Sequence, residues 1–87
     1  MKESIIVELK FFASCREIVG ISSCSITLTE TNRSVLDLIN TVVDMYPDLS
    51  DSVSELSIAV NKTYITDKNH LLKNKDIVAF IPPISGG

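Results

Sequence analysis

One apolar stripe constrains the fold of this chain of 87 residues more than any other feature. Between residues 35 and 46, apolar side chains recur at spacings of three and four residues, which place them along one side of an α-helix. The stripe consists of Val35, Leu38, Ile39, Val42, Val43 and Tyr46. Ser34 and Asp37 predict a capping box at the start of this helix, and Pro47 is expected to end it because proline disfavours helical geometry in the preceding residue. A single amphipathic helix must bury its stripe against another layer, so the rest of the chain should supply a sheet.

Short segments in which apolar and polar residues alternate predict the strands of that sheet. The predicted strands cover residues 5–12, 24–29, 58–60, 64–65 and 76–82. Gly20 marks the turn between the first two strands, and Asn61-Lys62 turns the third strand back into the fourth. The element order predicts an α+β chain of the β-grasp, or ubiquitin-like, class: a small mixed sheet with one main helix packed across one face. We expect residues 1–87 to form a single domain, with residues 82–87 as an extended tail.

The alternation also divides the strand residues between the two faces of the sheet. Phe11, Val78 and Phe80 are predicted to face the helix. The residues predicted to lie on the open face are Phe12, Ala59, Ile77 and Ile81. Apolar residues grouped on an exposed face indicate a surface for a partner, so these four are the candidate interface.

The acidic balance of the chain, with a formal net charge of −3, argues against a nucleic-acid partner, which would require a basic surface. The basic cluster between Lys68 and Lys75 is flanked by Asp67 and Asp76, and it is interpreted as a solvated turn. The longest uninterrupted apolar run, residues 77–81, is too short to cross a bilayer. Two cysteines are fewer than a secreted domain of this size usually carries. We therefore expect a cytosolic protein that binds neither membrane nor nucleic acid.

Residues suited to enzymatic chemistry are scarce. His70 is the only histidine, so neither a multi-histidine metal site nor a Ser-His-Asp triad is predicted. Cys24 lies on the apolar side of its strand and is expected in the core. Cys15 is expected in a turn, where it could be exposed beside Arg16. We expect the chain to bind no metal or cofactor and to catalyse no reaction by itself.

The end of the sequence carries the feature that indicates function. Residues 82–87 read Pro-Pro-Ile-Ser-Gly-Gly. The two prolines are expected to hold the tail stiff and extended, and Gly86 and Gly87, which lack Cβ atoms, can pass through a narrow channel. Because the sequence stops at Gly87, we expect a free carboxylate there. An ionised carboxylate is a poor electrophile, so a partner enzyme must activate it, for instance as an acyl-adenylate.

Several motifs along the chain resemble those of one family. They are Phe11-Phe12-Ala13, Arg16-Glu17 with Gly20, Tyr46-Pro47, Ala59-Val60-Asn61 with Tyr64, and the closing run from Asp76 to Gly87. On these residues the chain resembles the sulfur-carrying small subunits of molybdopterin synthase, in the ubiquitin-like MoaD/ThiS family. The Gly-Asp that this family usually has before the last strand is Lys75-Asp76 here. We expect Asn74 to adopt the positive φ that the glycine would adopt.

The resemblance implies a β-grasp fold and a defined use of the tail. An E1-like adenylyltransferase would adenylate Gly87 with ATP, and sulfur transfer would then make a C-terminal thiocarboxylate. The residues that would thread into the active sites of partners are Pro82, Pro83, Ile84, Ser85 and Gly86. In the large subunit of molybdopterin synthase, the sulfur would pass to cyclic pyranopterin monophosphate and build the dithiolene of molybdopterin. Two small and two large subunits would assemble, with Phe12 and Ile81 in the contact.

Three other functions are compatible with these residues. A related carrier could serve thiamine synthesis or tRNA thiolation through the same acyl chemistry. A ubiquitin-like modifier would attach to lysines instead, and isopeptide-linked ladders in cells would reveal it. A non-catalytic interaction module would keep its function after removal of Gly86 and Gly87.

Overall fold

The predicted helix lies across one face of a mixed sheet of five strands in the computed structural model, which describes residues 3–83. The strands are β1 (Ser4–Phe11), β2 (Ser23–Thr29), β3 (Ser57–Val60), β4 (Thr63–Ile65) and β5 (Ile77–Ile81), and the helices are α1 (Ala13–Val19) and α2 (Val35–Met45). The strand order is β2-β1-β5-β3-β4, with β1 and β5 parallel and the other pairs antiparallel. This arrangement confirms the predicted β-grasp fold.

Helix α2 forms where the apolar stripe predicts it. The side-chain oxygen of Ser34 accepts the N–H of Asp37 at 3.0 Å, and the Asp37 carboxylate accepts the N–H of Ser34 at 3.0 Å, so the capping box is confirmed. The buried residues of the stripe are Val35, Leu38, Ile39 and Val42. The helix ends at Met45, and a short 3-10 turn starts at Pro47. Among residues 3–83, no helix is long and apolar enough to cross a membrane.

The core between α2 and the sheet confirms the assignment of strand faces. Phe11 and Phe80 are each about 1% exposed, and Val78 is fully buried. The ring of Phe11 meets the rings of Tyr46 and Phe80 edge to face, with both pairs of ring centroids 6.1 Å apart. Such aromatic pairs add to the stabilisation that burial alone provides. The sheet is therefore anchored to α2 through the side of β1 that carries Phe11.

Helix α1 replaces the turn that the sequence predicted between β1 and β2, and it corrects the position of Cys15. The helix starts after Phe12, ends at Gly20, which has a φ of 87°, and fully buries Cys15. The prediction that Cys15 lies in a turn, where it could be exposed, is wrong, because Cys15 belongs to α1 and this helix packs against the distant 3-10 turn Pro47–Leu49. A helix of two turns carries too few residues to show a clear apolar period.

The turn before β5 also differs from the prediction. Lys75, and not Asn74, has the positive φ, at 74°. The turn is closed by a hydrogen bond from the Asp76 N–H to the Lys73 carbonyl at 3.0 Å. The side chain of Asn74 accepts the N–H of Ile6 at 2.9 Å, which ties the turn to β1. The asparagine is therefore used for its side-chain oxygen, and the left-handed position falls on the lysine that follows it.

Candidate functional site

The face of the sheet opposite α2 carries an apolar depression, which is the candidate site. Its apolar lining consists of Phe12, Ala59, Tyr64, Ile77, Ala79 and Ile81. Strand pairing brings these residues together, because Ala59 lies opposite Ala79 on β5 and opposite Tyr64 on β4. Two alanines at the centre of the sheet leave space that larger side chains surround. The result is a shallow apolar surface to which a partner side chain can bind.

All four residues of the predicted interface line this apolar depression. Phe12 and Ile77 are each 43% exposed, Ile81 is half-buried, and Ala59 is only 7% exposed. Phe12 follows β1 in an extended conformation, with φ of −119° and ψ of 152°, so its ring lies on the opposite side of the sheet from Phe11. Ala59 forms the floor of the depression, and Phe12 and Ile77 offer the accessible apolar surface. That a partner contacts them stays a prediction.

Tyr64 lines the apolar depression but was not among the predicted site residues. It is 67% exposed, which makes it the most accessible large hydrophobic residue in the described part of the chain. The sequence did contain a signal for the position of Tyr64. A two-residue turn at Asn61-Lys62 places Val60 opposite Thr63 and Ala59 opposite Tyr64. Residues that face each other across an antiparallel pair share a face of the sheet. The assignment of Ala59 to the open face therefore implied the same face for Tyr64.

The chain leaves the sheet at the edge of the apolar depression. Strand β5 ends at Ile81, which lines the depression, and a hydrogen bond from the Phe12 N–H to the Phe80 carbonyl at 3.3 Å holds the two strand ends together. Pro82 is buried and Pro83 is exposed. The predicted tail residues Ile84, Ser85, Gly86 and Gly87 lie outside the described residues. The geometry thus places the start of the tail directly beside the candidate interface.

The two thiols lie away from the apolar depression in environments that keep them protonated. Cys15 is buried within α1, and Cys24 is half-buried and packs against the core. Burial raises the pKa of both thiols above the ordinary value, because a thiolate is poorly solvated in an apolar environment. Since the thiolate is the reactive form, both groups are weak nucleophiles at neutral pH. Among residues 3–83, no group of three or more His, Cys, Asp or Glu side chains could hold a metal ion.

Comparisons with known proteins identify similar chains. The ThiS family profile matches residues 9–87. A molybdopterin synthase sulfur carrier subunit of Dictyostelium discoideum is 32% identical over 92% of this chain and 94% of its own length. The solved structure of a putative molybdopterin converting factor subunit 1 from Pyrococcus furiosus superposes with a TM-score of 0.81 at 28% identity, over 92% of this chain and 99% of that one.

A third similar structure is a complex of subunits 1 and 2 of the molybdopterin-converting factor of Helicobacter pylori. It covers 95% of this chain and 100% of the compared chain, with a TM-score of 0.70 at 23% identity, which supports the fold. Both solved structures support the β-grasp fold of this chain. The family match extends to Gly87, the residue whose carboxylate is predicted to carry the chemistry.

Proposed function

Because this chain belongs to the ThiS family, we propose that it is a sulfur carrier, the small subunit of a molybdopterin synthase, with the carboxylate of Gly87 as its working group. The observation that carries the proposal is that the family match extends through Gly87. The name of the Dictyostelium relative supports the same assignment. The position of the tail start, at the edge of an apolar depression, fits a chain that binds a partner while its tail enters the partner's active site.

The proposed chemistry takes place on the tail, and partner enzymes supply the catalytic groups. An E1-like enzyme transfers AMP from ATP to the Gly87 carboxylate and releases pyrophosphate, which makes an acyl-adenylate. A sulfur nucleophile then displaces AMP and leaves a thiocarboxylate. In the large subunit, this sulfur passes to cyclic pyranopterin monophosphate, and hydrolysis returns Gly87 to a carboxylate. The chain itself contributes position, because it holds the acyl group at a defined place in the partner's site.

Each part of the chain has a role in this proposal. Pro82 and Pro83 keep the base of the tail extended, and Ile84, Ser85 and Gly86 pass through the partner's channel. The apolar depression binds the large subunit, in an assembly of two small and two large subunits. The chain catalyses no reaction alone and holds no cofactor of its own, and ATP is used by the activating enzyme. We place this work in the cytosol, where thiols such as Cys15 and Cys24 stay reduced.

A reconstitution with purified components tests the proposal. The chain is incubated with an E1-like activating enzyme, ATP and a sulfide donor, and its intact mass is measured. We expect the mass to rise by the difference between a sulfur and an oxygen atom, with no rise when ATP is left out. Addition of the large subunit and cyclic pyranopterin monophosphate should then yield molybdopterin. A chain that is instead found joined to lysines through isopeptide bonds, with no thiocarboxylate, would be a modifier and not this carrier.

Replacement of both cysteines should leave sulfur loading intact. In a Cys15→Ser, Cys24→Ser double variant, we expect the same increase in mass and the formation of molybdopterin. The melting temperature should fall, because Cys15 is fully buried and a hydroxyl there needs a hydrogen-bond partner. The single Cys24→Ser variant, at a half-buried position, is the matched control and should lose less stability. A double variant that is folded but carries no sulfur would indicate a cysteine persulfide and contradict the role of Gly87.

A further inference from the structure

The charged residues that line the apolar depression are all cationic. Lys10 and Lys62 line it, and no acidic side chain does. This is unexpected for a chain with 11 acidic and 8 basic residues. Both lysines are exposed, and Lys10 lies opposite Ala79 in the pairing of β1 with β5. Two positive charges thus border the apolar depression on the open face of the sheet.

Lys62 occupies a backbone position that favours glycine. It is the second residue of the two-residue turn between β3 and β4, with a φ of 73°, and Asn61 before it has a φ of 50°. Hairpin turns with two positive φ values favour an Asn-Gly pair. Asparagine stands at the first position as expected, but the second holds lysine. Backbone strain of this kind tends to accompany function. We therefore expect the side chain of Lys62 to have a role on this surface.

Lys75 provides an internal comparison. Its φ of 74° matches that of Lys62, so both lysines experience the same kind of strain. Lys75 does not line the apolar depression, and it borders a neighbouring one that also contains Glu8. That neighbouring depression therefore carries an acidic residue as well as a lysine. The two lysines separate the effect of backbone strain from the effect of charge at the depression.

We propose that Lys10 and Lys62 form a cationic rim that directs an acidic protein surface onto the apolar depression. The partner's surface would present an apolar side chain for the depression and carboxylates opposite the two lysines. This inference rests on the proposed function, under which the partner is the large subunit of molybdopterin synthase. Continuity supports one common surface, because the two lysines line the same depression beside which the tail begins after Ile81.

The distribution of charge over the rest of the chain gives this rim its directing effect. Between residues 34 and 61 the sequence has no lysine or arginine. The acidic residues in this segment are Asp37, Asp44, Asp48, Asp51 and Glu55, and all but Asp37 are exposed. An acidic partner is repelled by this segment and attracted by the rim, so most encounters begin at the depression. Such steering acts on the association rate and weakens as ionic strength rises.

Association rates measured by stopped flow with purified large subunit test the cationic rim. At low salt, we expect Lys62→Gly to slow association roughly threefold and Lys10→Glu to slow it about tenfold, with little change in dissociation. Lys62→Gly should at the same time raise the melting temperature, because glycine relieves the strain at φ of 73°. The matched control, Lys75→Gly, should raise the melting temperature and leave association unchanged. All variants should converge toward the wild-type rate at high salt.

Several outcomes would overturn the cationic rim, and they are distinct from failure of the proposed function. If the large subunit binds all variants at the same salt-independent rate, the function stands and the rim is wrong. If the large subunit does not bind the wild-type chain at all, both fail. A single-stranded DNA oligonucleotide that binds the chain and loses that binding in Lys62→Gly would assign the rim to nucleic acid. Self-association of the chain that Lys62→Gly abolishes would assign the rim to a second copy.

Discussion

Deletion of Gly87 should abolish sulfur loading while the domain keeps its fold. The thiocarboxylate can form only on the terminal carboxylate, and the chain without Gly87 presents its acyl group one residue short of the partner's reactive atoms. A misplacement of even about 1 Å can reduce a reaction by about a hundredfold, and one residue of extended chain spans about 3.5 Å. We therefore expect no increase in mass after incubation with the activating enzyme, ATP and sulfide donor. The melting temperature should match that of the wild type.

Two further variants test whether sulfur loading depends on the exact position of the terminal carboxylate. Addition of one alanine after Gly87 should abolish loading as fully as the deletion does, because the carboxylate then lies one residue too far. Deletion of residues 1–2, which precede the family match at residues 9–87, is the control and should leave loading unchanged. Full loading of the chain that lacks Gly87, or sulfur found on Cys15 or Cys24, would refute the carrier mechanism.

The same substitution at two neighbouring phenylalanines should have opposite effects. Phe11→Asp should unfold the domain, because its ring is about 1% exposed and an aspartate there would be an unpaired charge in the core. Removal of a buried phenylalanine alone costs about 3–5 kcal/mol, which approaches the whole stability of a small domain. Phe12→Asp should leave the fold in place, because its side chain is 43% exposed on the open face. It should weaken binding of the large subunit by about ten- to a hundredfold.

Thermal melts and binding titrations of both variants measure these effects. Phe12→Leu is a conservative control, which should retain most of the affinity because the apolar contact is kept. Tyr64→Ala, at the exposed residue opposite Ala59, should weaken binding in the same assay without loss of stability. A folded Phe11→Asp variant together with an unfolded Phe12→Asp variant would show that the faces of β1 are exchanged. Unchanged affinity of Phe12→Asp would show that the partner binds elsewhere.

Much of the fold could be predicted because its signals are local. The capping pair Ser34 and Asp37 and the stripe that follows them specify α2 through neighbours within a few turns. The side-chain period of a strand is two, so one buried residue determines the face of every other residue in that strand. The assignment of Phe11 to the core and Phe12 to the open face followed from this rule, and the structure confirms it. The tail motif is likewise a contiguous run of residues.

The features that the sequence did not reveal depend on contacts between distant segments. Helix α1 has only two turns and packs against the distant 3-10 turn at Pro47–Leu49, and Cys15 is fully buried within this helix. The positive φ lies at Lys75 in a turn that Asn74 ties to Ile6, 68 residues earlier in the chain.

The apolar depression arises in the same way, because three strands from different parts of the chain bring Phe12, Tyr64 and Ile81 to one surface. Local sequence thus determines the elements and their faces, since their signals repeat within a few residues. The depression and its cationic rim exist only once β5 pairs with β1 and β3, because no single segment contains the residues that form them.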